Sequence, residues 1–204
     1  RSTLFPYTTL FRSPYRMRIT AHNRGPEAAT LHVLPQLVIR NTWAWRNSAA
    51  KPHLAQLDQH VLVQHDTLGD YHWYADGGPT LLFTENETNT HRLYDVPGAG
   101  YVKDAFHERV VNEDDRAVNP AHAGTKAAAW YRLDVPAGGS TQIRTRLAKT
   151  APAQPFADFD ATFAARVREA DEFYAEIQHD LPDADRRLVQ RQAFAGMIWS
   201  KQFF

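Results

Sequence analysis

The sequence contains no cysteine. That absence excludes disulfides, thiolate metal sites and a cysteine nucleophile. It fits a reducing compartment, so a cytoplasmic location is the expectation. A charge excess is also missing: Lys+Arg and Asp+Glu both number 23, and the formal net charge is zero. A chain without basic excess lacks the surface a nucleic-acid partner normally needs, and it carries neither an acidic nor a basic tail. No apolar run approaches the roughly 20 residues of a membrane helix, so no membrane partner is expected, and no signal peptide is visible. The ten histidines are scattered with no HExxH or similar spacing, so no metal site is expected. Gly124-Thr125-Lys126 looks like the end of a phosphate loop, but Asn119 stands where that loop needs its first glycine. Gly98-Ala99-Gly100 has neither the third glycine nor the following helix of a dinucleotide fingerprint. Ser140 and Ser200 lack a G-x-S-x-G frame. No cofactor is therefore expected.

What is present supports a folded core. The chain has 204 residues, 43% hydrophobic and 12% aromatic, enough for one large domain or a domain and a half. Residues 1–13 stand apart. Thr3 to Ser13 reads TLFPYTTLFRS, the in-frame translation of a common sequencing-library adapter, and Arg1-Ser2 repeats its last two residues. These residues are read as an artefact and kept out of fold reasoning.

From residue 14 to about 150 the signals are those of strands. Met17, Ile19 and Ala21 alternate with Arg18, Thr20 and His22, the period of a half-buried strand. Arg24-Gly25-Pro26-Glu27 makes a turn, and Thr30 to Arg40 is a second strand in which Pro35 marks an edge or bulge. Further strands are expected at 61–65, 71–75, 80–84, 107–111, 127–135 and 141–148. Pro/Gly clusters at 77–79, 97–100 and 136–139 punctuate them. The last two strands read as one hairpin. The pattern is that of an antiparallel sandwich.

The period changes after the linker Ala151-Pro152-Ala153-Gln154-Pro155, which places a domain boundary near residue 151. Phe159, Phe163, Val167, Ala170, Phe173 and Ile177 recur every three or four residues, an amphipathic helix with Asp158 or Asp160 as its cap. Leu181-Pro182-Asp183 restarts the chain into a second helix with Leu188, Ala195, Ile198 and Trp199 on its apolar side. Ending on Phe203-Phe204 without cap or polar tail, this helix is expected to continue in the natural protein. Apolar faces left without partners promote association.

Several stretches carry candidate chemistry. Trp43 and Trp45 point the same way if their segment is a strand, and such a pair can stack on sugar rings. Core or interface packing is the commoner use of tryptophans. Glu85 and Glu87 would share a face as a carboxylate pair, although a solvated or Arg-paired face is the commoner use. Lys103-Asp104-Ala105-Phe106-His107-Glu108 packs charge and imidazole into a short span, either as pocket lining or as a charged loop entering a strand.

The segments Met17-Arg18-Ile19-Thr20, Asn23 to Ala29, Leu34-Pro35, Arg40-Asn41-Thr42-Trp43, Glu85-Asn86-Glu87-Thr88-Asn89 and Lys103 to Glu108 occur in this order. Asn119-Pro120, Gly124 to Ala128 and Gln192 to Phe203 follow. As an ordered set they resemble the large bacterial glucosidase-like proteins of glycoside hydrolase family 63, relatives of mannosyl-oligosaccharide glucosidase. The resemblance implies an antiparallel β super-sandwich over 14–150, and over 151–204 a linker and the first helices of an (α/α)6 barrel. It implies a parent enzyme that hydrolyses α-glucosidic bonds of glucosides or oligosaccharides with inversion, using two carboxyls about 6.5–9.5 Å apart. Those carboxylates fall in polypeptide after Phe204, so no catalytic residue is assigned here and the chain alone is expected to be inactive. Trp43, Trp45, Glu87, Asn89, Lys103, Asp104, His107 and Lys126 are the candidates for contact with substrate or with the barrel in cis. The alternatives are a noncatalytic carbohydrate-binding or interaction module, and a parent of the related trehalase or disaccharide-phosphorylase type.

Overall fold

The computed structural model describes residues 15–45, 50–98 and 100–200. The artefact reading of residues 1–13 and the placement of Phe203 lie outside these residues. The chain is mainly β, with two antiparallel sheets followed by two long helices.

The larger sheet contains β1 (Tyr15–His22), β4 (His53–Leu57), β5 (His60–His65), β6 (Gly69–Ala75), the short β8 (Ala123–Gly124) and β10 (Ser140–Ala148). Their order is β1-β10-β6-β5-β4-β8. The smaller sheet is built on β9 (Lys126–Val135). β2 (Ala29–Val33) and β3 (Gln36–Val38) pair with successive stretches of β9, and β7 (Thr80–Thr84) also pairs with it. The expected single strand over 30–40 is thus two strands. Pro35 cannot donate to a ladder, so it separates them, and only its carbonyl is used, by the Ala129 N–H at 3.0 Å.

Residues 127–135 and 141–148 do form strands, but not a hairpin. β9 pairs with β2, β3 and β7, whereas β10 pairs with β1 and β6. The turn at 136–139, with Gly138 at a φ of 65°, carries the chain from one sheet to the other. The reason is burial. Ala127, Ala129 and Tyr131 on β9 and Ile143 on β10 meet in one core cluster, with Leu54, Val61, Val63, Trp73 and Phe83. Two strands with buried apolar faces gain more by stacking across a core than by lying side by side. Phe83 is fully buried there, a contribution of about 1.5–3 kcal/mol for a side chain of that kind.

The other face of β9 is also covered. Ala128, Leu82 and Phe106 form a second cluster with Val110 and Trp130. Phe106 belongs to α2 (Ala105–Val111). The expectation of a strand over 107–111 is therefore overturned. Ala105 and Phe106 start the buried side and Val110 returns to it four residues later, which is helical spacing. A short helix α1 (Thr90–Tyr94) precedes it, capped by the Asn89 side chain, which accepts from the Arg92 N–H at 3.0 Å.

α3 (Phe159–Ile177) and α4 (Ala184–Trp199) follow. α3 lies on the face of the larger sheet that carries arginines. Arg16 is registered opposite Arg146, and Arg18 opposite Arg144. Like charges facing each other on a sheet are unfavourable, and acids from the helix start offset them. Asp158 accepts from Arg16 at 2.5 Å and from Arg146 at 2.6 Å. Asp160 accepts from Arg144 at 2.8 Å, whose guanidinium also binds Asp76. The Arg18 guanidinium sits 4.0 Å from the centre of the Phe163 ring. This corrects two expectations. Met17 is exposed, while the Arg16 side chain is only 8% exposed. Asp158 occupies the cap position, but its side chain caps nothing because the two arginines take it. Asp183 does cap α4, accepting from the Asp185 N–H at 2.9 Å.

Burial raises the Asp158 pKa, but the charges of Arg16 and Arg146 outweigh it, so the carboxyl ionises below its ordinary range. A carboxyl with a depressed folded pKa contributes stability that is present above its unfolded value of about 3.9 and fades as pH falls through the folded value. Asp158→Ala is expected to lower unfolding stability at neutral pH by about 2 kcal/mol, the scale of hydrogen bonds to charged groups. It is also expected to flatten the loss of stability on acidification below about pH 4. Urea titrations of both proteins at several pH values measure this.

Candidate functional site

The site begins with register. Lys126, the first residue of β9, is paired with Val38 and with Thr84. Both partner strands run antiparallel to β9, so both continue past its beginning. The segments after Val38 and after Thr84 therefore emerge together, and they bond to each other. The Asn86 side-chain amide donates to the Ile39 carbonyl at 2.9 Å, and Asn41 returns the bond to the Asn86 carbonyl at 2.8 Å.

Glu87 closes this junction. Its Oε1 accepts from the Trp43 indole N–H at 2.6 Å, and its Oε2 accepts from Asn41 at 3.1 Å. Asn41 Oδ1 in turn accepts from the Ala44 N–H, fixing the turn that presents Trp43. Charge-assisted bonds of this length are roughly twice as strong as neutral ones. Glu87 is thus a clasp between two loops. Glu85 has separate partners: Thr125 Oγ1 donates to it at 2.8 Å and Lys51 pairs with it at 3.0 Å.

The remaining candidates gather on the next turn of chain. Glu87 carries its neighbours toward α2 through the Lys103 N–H, which donates to the Glu87 carbonyl at 3.0 Å. The Lys103 ammonium reaches Thr88 Oγ1 at 3.2 Å. Asp104 Oδ2 accepts from Asn89 and from Arg92, both at 3.3 Å. Its Oδ1 is shielded from solvent and has no hydrogen-bond partner among the described residues. Lys126 donates to the Lys103 carbonyl at 2.6 Å and stands 4.8 Å from the centre of the Phe106 ring. Burial pushes the Lys126 ammonium below its usual pKa, Asp104 works against that shift and Lys103 adds to it.

Gly124 explains the sequence Gly-Thr-Lys without a phosphate. A Cβ there would lie 2.3 Å from the Thr84 carbonyl oxygen. Only glycine permits β8 to pass this close, and the passage places Thr125 Oγ1 to accept from the Asn86 N–H at 2.7 Å.

Of the eight sequence candidates, Trp43, Glu87, Asn89, Lys103, Asp104 and Lys126 are brought together in one network. His107 is exposed on α2 and Trp45 is 65% exposed, with the Arg40 guanidinium 4.9 Å from its ring centre. Trp43 and Trp45 lie in a turn, not on a strand, so strand geometry does not align them. Asn41, Asn86, Thr125 and Lys51 belong to the network and were not singled out. Their signal is position: asparagines directly beyond strand ends turn back to bond the main chain.

The clasp predicts an energetic coupling. Glu87→Gln keeps the shape and removes the charge, and Trp43→Phe removes the donor. Each is expected to destabilise, and together by less than the sum, with a coupling of about 1–2 kcal/mol. A double-mutant cycle in urea measures it; additive losses would show that the indole–carboxylate bond does not form.

No protein-family model matches the chain. An uncharacterized protein of Saccharomyces cerevisiae (strain ATCC 204508 / S288c), YMR196W, is 34% identical over 233 residues. The alignment covers 94% of this chain and 21% of the yeast protein. The chain therefore spans about a fifth of the length of this relative.

Proposed function

We propose that the chain is part of an inverting glycoside hydrolase of the α-glucosidase type, acting on glucosides or oligosaccharides in the cytoplasm. On this reading the two sheets are part of a β super-sandwich. α3 and α4 are the first helices of an (α/α)6 barrel, and the catalytic acid and base lie in polypeptide beyond Phe204. The sandwich then has an accessory role: it supports the substrate entrance or the barrel with the network of Trp43, Glu87, Asn89, Lys103, Asp104 and Lys126.

The observation that carries this reading is convergence. The stretches that resemble the family are 40–43, 85–89, 103–108 and 124–128, far apart in sequence. They share one hydrogen-bonded junction at the start of β9. A structural role alone asks less of a surface than tryptophan, acid, amide and lysine held against one another. The half-exposed side chains of α4, including Leu188 and Phe194, give the helices apolar surface for further barrel helices.

A second reading has its own support. Trp45, largely exposed and backed by the Arg40 guanidinium, is a flat surface on which a sugar ring can stack, as in a noncatalytic carbohydrate-binding module. One set of measurements separates the two. In the full-length parent, Lys126→Ala and Trp43→Ala are expected to lower glucosidase kcat/KM by about tenfold or more, equivalent to about 1.4 kcal/mol of transition-state stabilisation, and to lower stability by less. The 204-residue chain alone is expected to show no turnover. Unchanged kcat/KM, with saccharide binding to the short chain that Trp45→Ala abolishes, would replace the first reading with the second.

A further inference from the structure

Among the described residues, a cleft of about 440 Å³ lies between the sheets at the end opposite the β9 turn at 136–139. That volume is within the range of small-molecule sites. Its floor is aliphatic. Val63 and Leu147 come from the larger sheet and Leu37 and Ile39 from the smaller one, with Leu68 at the rim. Tyr15 and Tyr71 are its aromatic walls.

The charged side chain at this cleft is a cation, Lys149. No aspartate or glutamate is among its lining residues, whereas Lys149 and His65 are. Lys149 continues the alternation of β10 and lies over the Tyr71 ring, its ammonium 5.5 Å from the ring centre. Its one recorded side-chain contact among the described residues is this ring. His65 Nδ1 faces the N–H groups of Thr67 and Leu68 at 3.2 and 3.3 Å, with Asp66 3.0 Å away. As acceptor from those amides, Nδ1 leaves the neutral ring's proton on Nε2. If the ring is charged and pairs with Asp66, Nε2 still carries a proton. Either way His65 has a donor to offer. Arg146 also lines the cleft. Its side chain belongs to the opposite face of the sheet, where NH1 serves Asp158 and the Pro155 carbonyl, so its contribution here is main chain.

We propose that this cleft is a binding site for an amphipathic monoanion. The apolar body of the ligand fills the space between Val63, Leu37 and Leu147, and a single carboxylate meets Lys149 and the His65 ring at the mouth. The preference follows from two facts taken together. A purely apolar ligand would leave the Lys149 ammonium without gain, and a sugar would bury hydroxyls against the aliphatic floor with few partners. A carboxylate with a hydrocarbon tail satisfies both ends. The cleft adjoins the junction around Lys126 through Val38 and Ile39, but the proposed occupant does not depend on the glycosidase reading.

Octanoate and octan-1-ol are the probes, matched in tail and different in head. Calorimetric titration and amide chemical-shift mapping on the 204-residue chain are expected to show octanoate binding at Val63, Leu147 and Lys149, more tightly than octan-1-ol. Lys149→Met keeps the stem and removes the charge. It is expected to weaken octanoate about fivefold, the scale of one partly exposed ion pair, and to leave octan-1-ol unchanged. Leu68→Glu places an acid at the exposed rim and is expected to weaken octanoate in the same selective way. Absence of octanoate binding, shifts mapping elsewhere, equal affinity for the two probes, or indifference to both substitutions would each overturn the proposal.

Discussion

The row Val38–Lys126–Thr84 is the constraint on which the candidate site rests. One residue of β9 is registered opposite a strand residue on each side, so the chains leaving those two strands must pass the same point. A one-residue slip of either strand would turn its side chains to the opposite face and separate the loops. The slip is resisted by burial on both faces of β9, with Ala127 and Ala129 in one core and Ala128 in another. The small side chains there leave room for Phe83 and Trp73 on one face and Phe106 on the other. The packing thus fixes the register, the register fixes the junction, and the junction positions the polar side chains.

A second constraint joins sheet to helix. The larger sheet presents Arg16, Arg18, Arg144 and Arg146 on one face, an arrangement that would repel itself if left bare. Asp158, Asp160 and Phe163 from the helix start, and Asp76 from the β6 end, offset that charge. Zero net charge over the chain conceals this local arrangement. The first turns of α3 are held by the sheet, with Phe159 completely buried. Farther along, Phe173, Leu188 and Ile198 are well exposed.

Strand content was legible because period-2 alternation and Pro/Gly punctuation are local signals. Strands over 61–65, 71–75 and 80–84 were expected and occur as β5, β6 and β7 with small differences at their ends. Sheet membership was not legible. Whether 127–135 pairs with 141–148 or faces it across a core depends on partners a hundred residues away, such as Leu31 opposite Leu133. The segment 107–111 misled because His, Arg and two valines suit a strand in isolation, while the anchor that makes it a helix, Phe106 against Leu82 and Ala128, is tertiary. The same division holds for the site. Residue types marked Trp43, Glu87, Lys103 and Lys126 as notable, but only the fold reveals that Glu87 holds an indole and that Asn41 and Asn86 complete the clasp.

Native-state hydrogen exchange at the tryptophan indoles tests the junction most directly. With Trp43 donating to Glu87, its indole N–H is expected to exchange slower by orders of magnitude than that of Trp45, and to respond to urea together with the main-chain amides of β9, as one cooperative unit. Exchange of both indoles at the same fast rate, with β9 still protected, would contradict the account.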